Sequence, residues 1–255
     1  MGAQLLRYRR AAKGLGTAVT AAALVVSAEA IPAADDHAEE RRDMVETIRG
    51  IAALPGSGAP DGRISDAVLA AMAAVPRHEL VPERHRHLAY RDGPVPIGHG
   101  QTISQPYIVA LMTELLSVDR DDVVLEVGTG SGYQAAVLAG LVRRVYSIEI
   151  VEPLARRAAD DLARLGYRNV EVRAGDGYKG WPEHAPFDGI LVTAAAPDIP
   201  PPLLEQLKPG GRLVIPVGGS GRRQSLMLVE KGSDGRIARR SVIDVRFVPL
   251  TRERR

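Results

Sequence analysis

The sequence predicts an α/β fold in which a central, mostly parallel seven-stranded sheet carries helices on both faces. Apolar, β-branched runs alternate with helical patterns from about residue 107 onward, and a glycine-rich segment joins the first of these strands to its helix. Repeated β-α-β units require parallel strands, because each right-handed crossover returns the chain to the same edge of the sheet. Ligands of such sheets bind outside the carboxyl ends of the strands, so we expect the functional site there.

Two helical segments precede this alternation. The first runs from Asp36 to Ala53, where apolar residues recur at helical spacing, and the Pro/Gly-rich residues 55–62 end it. Ser65 is suited to be the N-cap of the second helix, which Pro76 stops. A Gly/Pro-rich stretch from 93 to 106 then leads into the next helix. We expect these segments to cover the sheet and not to form a separate domain.

The remaining elements follow in a regular order. The first five strands are Val123–Val127, Val145–Ile150, Val170–Arg173, Phe187–Val192 and Arg212–Val217. Two further strand candidates, Ser225–Glu230 and Val242–Val248, are joined by a turn near Gly232 and Gly235. The predicted helices around and between the strands are Tyr107–Leu116, Tyr133–Leu141, Pro153–Leu165 and Pro202–Leu207.

Composition favours one globular domain and argues against a nucleic-acid partner. The chain has 255 residues, 45% hydrophobic and 25% charged. Its net charge is 33 − 31 = +2, but Arg7, Arg9, Arg10 and Lys13 against Glu29 place +3 in the first thirty residues. The sequence pI of about 9.0 therefore reflects the N-terminus. The absence of cysteine excludes disulfides and thiolate metal sites.

The first thirty residues have the layout of a secretory signal. A basic stretch is followed by the apolar residues 15–27 and by Ala28-Glu29-Ala30. The apolar run is too short to span a membrane comfortably, so we expect no stable membrane association beyond such a signal. A disordered extension and a start site assigned too far upstream are the alternatives. We predict an extension over residues 1–30 and a domain over 31–255, located in the cytoplasm, with export to the periplasm as the alternative.

The segment between the first strand and its helix is suited to a nucleoside cofactor. Gly128, Gly130 and Gly132 allow the backbone to approach a ligand, and Tyr133 stands where a dinucleotide fingerprint has its third glycine. This spacing argues against NAD. Glu149 ends the next strand and is placed to accept both hydroxyls of a ribose. The predicted cofactor-binding residues in these two strands and the loop are Glu126, Gly128, Thr129, Gly130, Ser131, Gly132 and Glu149.

Asp176 and Gly177 follow the third strand and complete the predicted cofactor-binding set. An acidic side chain there can reach an adenine amino group, while the glycine lets backbone approach the ring. Taken alone, Asp176 is equally suited to be a turn former and Glu149 an exposed strand-end carboxylate. Their convergence at one edge of the sheet favours the cofactor site.

Several motifs resemble those of the protein-L-isoaspartate O-methyltransferases, over roughly residues 43–252. The most specific runs from Pro96 to Pro106, with the sequence PIGHGQTISQP. Others are VGTGSGY, GDG, APFD, VTAA and VRFVPL, all in the second half of the chain. The resemblance implies a Rossmann-like class I methyltransferase core over 117–255, with helices and a substrate loop over 36–116. It also implies S-adenosylmethionine as methyl donor, S-adenosylhomocysteine as product, and isoaspartyl-containing proteins and peptides as substrates.

The same resemblance implies that Ser104 belongs to the active site. Its hydroxyl and that of Thr102 can orient a carboxylate oxygen by donating a hydrogen bond. A sulfonium methyl is already activated and a carboxylate is already a nucleophile, so we expect no metal. Separately, we expect a monomer. From the residues alone, Ser104 is better explained as the N-cap of the helix that Tyr107 enters.

Two rival functions stay open at this point. A class I methyltransferase acting on a small molecule or nucleic acid would share the sheet and the glycine-rich loop, but would have no evident reason to carry residues 96–106. The second rival is of another class: a nucleoside-binding module without activity, or an NAD-dependent oxidoreductase. Titration with S-adenosylmethionine, S-adenosylhomocysteine and NAD would distinguish these from a methyltransferase.

Overall fold

The computed structural model describes residues 37–219 and 223–252. The predicted extension over residues 1–30 lies outside the described residues. The helices are α1 (Ala38–Ala52), α2 (Asp66–Ala74), α3 (Pro106–Leu116), α4 (Tyr133–Ala139), α5 (Glu152–Arg164) and α6 (Pro201–Glu205). The strands are β1 (Val95–Gly98), β2 (Gln101–Ile103), β3 (Val123–Val127), β4 (Arg144–Glu149), β5 (Val170–Ala174), β6 (Phe187–Val192), β7 (Leu207–Val217), β8 (Gln224–Lys231) and β9 (Ile237–Val245).

The seven long strands form one sheet in the order β5-β4-β3-β6-β7-β8-β9. The pairs from β5 to β7 are parallel, whereas β8 and β9 are added antiparallel. This confirms the predicted mostly parallel seven-stranded sheet. Strand β3 lies between β4 and β6, so the chain order reverses there. Such a reversal opens a crevice at the carboxyl ends of the strands.

The two faces of the sheet are covered unequally. Val124 and Val145 pack with buried residues of α1 to α5, including Met44, Leu69 and Leu111. On the opposite face, Leu125, Ile148 and Ile190 pack with Trp181 and with Leu203 of α6. Neighbouring residues of β3 thus enter different clusters, as the period of two in a strand requires. The prediction of helices on both faces is confirmed, with most helical mass on one side.

Local start positions agree with their sequence patterns. Ser65 accepts a hydrogen bond from the backbone of Val68 and caps α2 as predicted. Pro153 occupies the first turn of α5, where its missing N–H costs no helical hydrogen bond. No helix among residues 37–219 and 223–252 is long and apolar enough to cross a bilayer.

The structure differs from the sequence prediction in the hairpin region and in the last strand, and β7 begins at Leu207, before the predicted Arg212. The Gly/Pro-rich stretch contains an antiparallel hairpin, β1–β2, whose turn holds Gly98, His99 and Gly100 at positive φ. Strand β9 starts and ends earlier than predicted, because the Gly232–Gly235 turn is tight and places Ile237 opposite Lys231. The residues after Val245 leave the sheet, and Val248 instead accepts a hydrogen bond from the backbone of Ala195.

Candidate active site

One cavity lies at the carboxyl ends of β3, β4 and β6. It is lined by residues 101–104 of the hairpin, by 127–131 of the glycine-rich loop, by 148–150 at the end of β4, and by Gly177. Residues 193–194 and 248–251 close the far side. The structure therefore brings the two regions that carry the sequence motifs, the hairpin and the glycine-rich loop, to one place.

The glycine-rich loop is shaped by close approaches that exclude a side chain. A Cβ on Gly128, where φ is 101°, would lie 2.3 Å from Thr193 Oγ1. The Thr193 hydroxyl lies 2.6 Å from the carbonyl oxygen of Gly128 and 3.2 Å from that of Val127. Gly132 adopts a left-handed conformation and begins α4. Glycine is required at these positions because other residues would be strained or would collide.

Glu149 lines the cavity from the end of β4, where only 5% of it is exposed. Its Oε2 accepts a hydrogen bond from the backbone N–H of Gly130 at 2.8 Å, and its Oε1 accepts one from Val151 at 2.9 Å. A carboxylate has about four acceptor sites in total. Two backbone bonds therefore fix its orientation and leave capacity for two ligand hydroxyls.

Asp176 and Gly177 line two different cavities. Gly177 lines the cavity, and a Cβ there would lie 2.3 Å from Val127 Cγ1. The Asp176 carboxylate accepts a hydrogen bond from the backbone of Tyr178 at 3.0 Å and caps a short 3₁₀ turn. Asp176 faces a neighbouring cavity together with Tyr178 and Arg252. The turn-forming role considered for Asp176 is present, and Asp176 does not line the cavity beside Glu149.

Glu126 does not line the cavity. It is fully buried and accepts a hydrogen bond from the Ser147 hydroxyl of the neighbouring strand. Burial raises the pKa of Glu126 to about 8, although the bond from Ser147 acts in the opposite direction. The alternation along β3 explains its position, because Glu126 projects to the same face as Val124, beneath the helices. The sequence predicted that Glu126 contacts a cofactor. In the structure, its side chain instead connects β3 to β4.

The remaining residues of the loop are also buried. Thr129 and Ser131 line the cavity, and the Thr129 hydroxyl contacts that of Ser147. The Ser131 hydroxyl accepts a long hydrogen bond from the backbone of Tyr133 at 3.3 Å. The loop is thus held by its own side chains and by β4.

A buried arginine supports the backbone of the hairpin region. Arg77 is 0% exposed, and its guanidinium donates to the carbonyl oxygens of Ala89 and Ser104, both at 2.6 Å. Its Cζ also lies 4.5 Å from the ring centroid of Tyr133, the first residue of α4. Burial lowers the pKa of Arg77 to about 10, so it remains charged at neutral pH. Arg77 therefore contacts both Ser104, which follows the hairpin, and the start of α4.

Asp92 holds the start of α3. Its carboxylate accepts hydrogen bonds from the backbone of Tyr107 at 2.9 Å and from the Gln105 side chain at 2.7 Å. The N-cap of α3 is Gln105, and it makes no capping bond with its own side chain. The alternative role of Ser104 as helix cap is therefore wrong, because Asp92 supplies the acceptor from fifteen residues upstream.

Ser104 and Thr102 line the cavity. Within the ranges that the structure describes, neither hydroxyl has a protein hydrogen-bond partner. Both residues also line a second groove, which Thr193, Arg246 and Phe247 border. They therefore lie at the junction of the cavity and this groove.

Three contributors to the site were not predicted as site residues. Thr193 follows the end of β6, and the rule that ligands bind at carboxyl ends could have singled it out. Gln134 lies one residue inside α4. Residues 248–250 belong to the motif VRFVPL and Thr251 follows it, but only the fold shows that they return to the cavity.

Comparison with known proteins gives the family. A family model described as protein-L-isoaspartate(D-aspartate) O-methyltransferase matches residues 60–255. Protein-L-isoaspartate O-methyltransferase 1 of Cupriavidus necator is 56% identical over 91% of this chain and 90% of its own length. The protein-L-isoaspartate O-methyltransferase of Opitutus terrae is 63% identical over 74% of this chain and 81% of its own.

Solved structures agree. One protein-L-isoaspartate O-methyltransferase superposes with a TM-score of 0.71 at 29% identity, covering 83% of this chain and 66% of that one. A Plasmodium falciparum protein described as a putative protein-L-isoaspartate O-methyltransferase, in complex with S-adenosyl-L-homocysteine, superposes with a TM-score of 0.70 at 26% identity. That match covers 84% of this chain and 99% of the other. By the length of the family match and the identity of its relatives, this chain belongs to the protein-L-isoaspartate(D-aspartate) O-methyltransferase family.

Proposed function

We propose that this chain transfers the methyl group of S-adenosylmethionine to the free carboxylate of L-isoaspartyl residues in damaged proteins. The observation that carries the proposal is membership of the family, whose relatives bear that name over most of their length. The cavity supports it, because one space contacts both the strand-end carboxylate Glu149 and the hydroxyl residues Thr102 and Ser104.

The cavity suits S-adenosylmethionine. Glu149 keeps free acceptor capacity for the two ribose hydroxyls, and glycine at 128 and 177 lets the backbone pack against Thr193 and Val127 in the wall of the cavity. The fit to a nucleoside therefore rests on the acceptors of Glu149. When bound, the cofactor supplies a sulfonium methyl, and it becomes S-adenosylhomocysteine as the electron pair of the broken carbon–sulfur bond stays on sulfur.

Ser104 and Thr102 orient the acceptor. An isoaspartyl linkage runs the main chain through the side-chain carbon and leaves the α-carboxylate free. A hydroxyl that donates a hydrogen bond holds one carboxylate oxygen and leaves the other to attack the methyl carbon. Since the carboxylate is already ionised at neutral pH, the chain needs no general base. Alignment of the carboxylate oxygen with the methyl and the sulfur supplies the rate enhancement.

The groove beyond Ser104 offers room for the peptide on either side of the isoaspartyl residue. It shares Thr102, Ser104 and Thr193 with the cofactor cavity.

The test is transfer of labelled methyl from S-adenosylmethionine to an isoaspartyl peptide, with the normal aspartyl peptide of the same sequence as control. Label in the isoaspartyl peptide alone is the expected result. Equal labelling of both peptides, or labelling of neither alongside methylation of a nucleic acid, would refute the substrate assignment. Base-labile methyl ester would identify the product.

We further propose that the enzyme acts as a monomer in the cytoplasm, where its methyl donor is made. Size-exclusion chromatography with light scattering tests the monomer. N-terminal sequencing of the protein from cell fractions tests the location: a mature chain beginning at Ile31 in the periplasm would establish export instead, since Ala28-Glu29-Ala30 precedes it.

A further inference from the structure

Ile97 is an extra residue in the β1–β2 hairpin and has no partner in β2. The paired residues around it are Val95 with Ile103, Pro96 with Thr102, and Gly98 with Gln101. An extra residue of this kind forms a bulge, which bends the strand and re-aims a side chain. Ile97 is 1% exposed, and its Cδ1 lies 3.5 Å from the position that a Cβ on Gly130 would take. The bulge therefore packs Ile97 against the glycine-rich loop.

A side chain from α5 binds the backbone of this bulge. Nη2 of Arg157 donates a hydrogen bond to the carbonyl oxygen of Ile97 at 3.0 Å. Arg157 is half-buried, and no acidic side chain in the described part of the chain pairs with it. A partly desolvated charge is unfavourable unless its N–H groups find acceptors. The acceptor that the structure gives Arg157 is the bulged residue of the hairpin.

The bulge decides which hairpin side chains face the cavity. In a paired strand, a shift of register by one residue turns every side chain to the other face. Thr102 and Ser104 line the cavity, and Ile103 between them belongs to the core. Closing the bulge at Ile97 would shift β2 against β1 and exchange these positions.

We propose that Arg157 is a positioning residue for methyl transfer. By binding the carbonyl of Ile97, it stabilises the bulge and fixes the register in which Thr102 and Ser104 line the cavity. This inference rests on the proposed function, because it requires those two hydroxyls to orient the substrate carboxylate.

The origin of Arg157 links the hairpin to the cofactor side. Helix α5 begins shortly after Glu149, whose Oε1 accepts the backbone N–H of Val151, the N-cap of that helix. The hairpin is therefore aligned on the helix that follows the proposed ribose-binding carboxylate. Arg77 binds the carbonyl of Ser104 at the other end of the hairpin, so the two arginines support different ends of it.

Arg157→Met tests this role, and Arg156→Met is the matched control. Arg156 lies on the same helix, is exposed and pairs with Glu152. Arg157→Met should lower kcat/KM for an isoaspartyl peptide roughly tenfold or more, the loss expected when a hydrogen bond from a charged donor is removed. The affinity for S-adenosylhomocysteine should change less than about threefold, since Glu149 keeps its backbone bonds. Arg156→Met should leave both within about twofold.

A disulfide can fix the register in place of Arg157, because the chain has no cysteine of its own. Val95→Cys with Ile103→Cys joins residues that lie directly opposite each other. The Cα atoms of such pairs are about 4.5–5.5 Å apart, which a disulfide can bridge. In the Arg157→Met background, oxidation should recover most of the lost kcat/KM, and reduction of the same protein should remove it again. A merely structural Arg157 would lower the free energy of unfolding without this dependence on the crosslink.

The control is the same crosslink in the presence of Arg157, which should leave the enzyme active. If the crosslink itself inactivates that protein, hydrogen exchange over residues 101–104 decides, and it should be faster in Arg157→Met than in Arg156→Met. Equal activity of these two variants, or a loss that the tolerated crosslink does not recover, would overturn the inference and leave the proposed function intact. Failure of the wild-type chain to methylate the isoaspartyl peptide would overturn both.

Discussion

The two halves of the active site are held in different ways. On the cofactor side, the functional side chains themselves support the backbone: Glu149 accepts two backbone N–H groups, and Thr193 lies in hydrogen-bond contact with two carbonyl oxygens of the loop. On the substrate side, Arg77 and Asp92 support the backbone by hydrogen bonds to Ser104 and Tyr107, and the hydroxyl of Ser104 has no protein partner in the described ranges. With the proposed roles, Glu149 combines support and binding on the cofactor side, whereas different residues carry these two tasks on the substrate side.

This difference predicts that substitutions on the substrate side affect either stability or activity, while those on the cofactor side affect both. The largest effect should come from Arg77→Met. It leaves the carbonyl oxygens of Ala89 and Ser104 without their donor, and each buried unpaired group costs about 1–3 kcal/mol. We expect the free energy of unfolding to fall by roughly 2–5 kcal/mol in urea titrations.

The matched control for Arg77→Met is Arg164→Met, which removes a half-exposed arginine paired with Glu79 and Asp161. Its loss of stability should be within about 1 kcal/mol, because exposed ion pairs contribute little. Similar losses in the two variants would show that the buried contacts of Arg77 do not support the hairpin region.

Ser104→Ala should show the opposite pattern. We expect kcat/KM toward an isoaspartyl peptide to fall roughly 10- to 1000-fold, as when a positioning contact is lost, with cofactor affinity unchanged. The melting temperature should stay at the wild-type value, because Ser104 does not cap α3. A variant that is less stable but kinetically normal would remove Ser104 from the catalytic role and leave Thr102 as the candidate.

Asp92→Ala is the complementary variant, which should lower stability where Ser104→Ala does not. It removes the acceptor for the backbone of Tyr107 and for the Gln105 side chain, so the free energy of unfolding should fall by about 0.5–2 kcal/mol. Thermal melts measure it. If Ser104→Ala proved the more destabilising of the two, the separation of support from function on this side would be refuted.

Glu149→Gln tests the cofactor side. The change keeps the size of the side chain and removes its charge, so the affinity for S-adenosylmethionine should weaken by about 1.5–3 kcal/mol in calorimetry. Because the same carboxylate holds Gly130 and Val151, stability should fall as well. An unchanged affinity would exclude Glu149 from the cofactor site.

The effect of Glu126 depends on pH. Its pKa is raised by burial from 4.5 to about 8 in the folded protein, so between these values the folded state holds a proton that the unfolded state has lost. Stability therefore falls as pH rises from 4.5 toward 8, and Glu126→Gln should flatten this slope. Denaturant titrations at about pH 5 and pH 8 measure the difference. A slope identical to wild type would mean that Glu126 is ionised when buried.

The order and type of most elements and the place of the glycine-rich loop follow from the residues alone. These properties are local: the period of two or 3.6 residues and the backbone freedom of glycine are written in consecutive residues. The motifs also gave the family, and with it Ser104. The alternation along β3 was available too, and it places Glu126 on the helical face, away from the cavity.

The contacts that support the site depend instead on tertiary packing. Arg77 reaches Ser104 across 27 positions of sequence, and Gln134 reaches Thr113 across 21. No local pattern marks such pairs, because they depend on how the helices before the sheet pack against α4. The same holds for Asp92, which displaced Ser104 as the acceptor for α3. A buried polar group acquires its role from the partners that packing brings to it, and those partners come from distant parts of the chain.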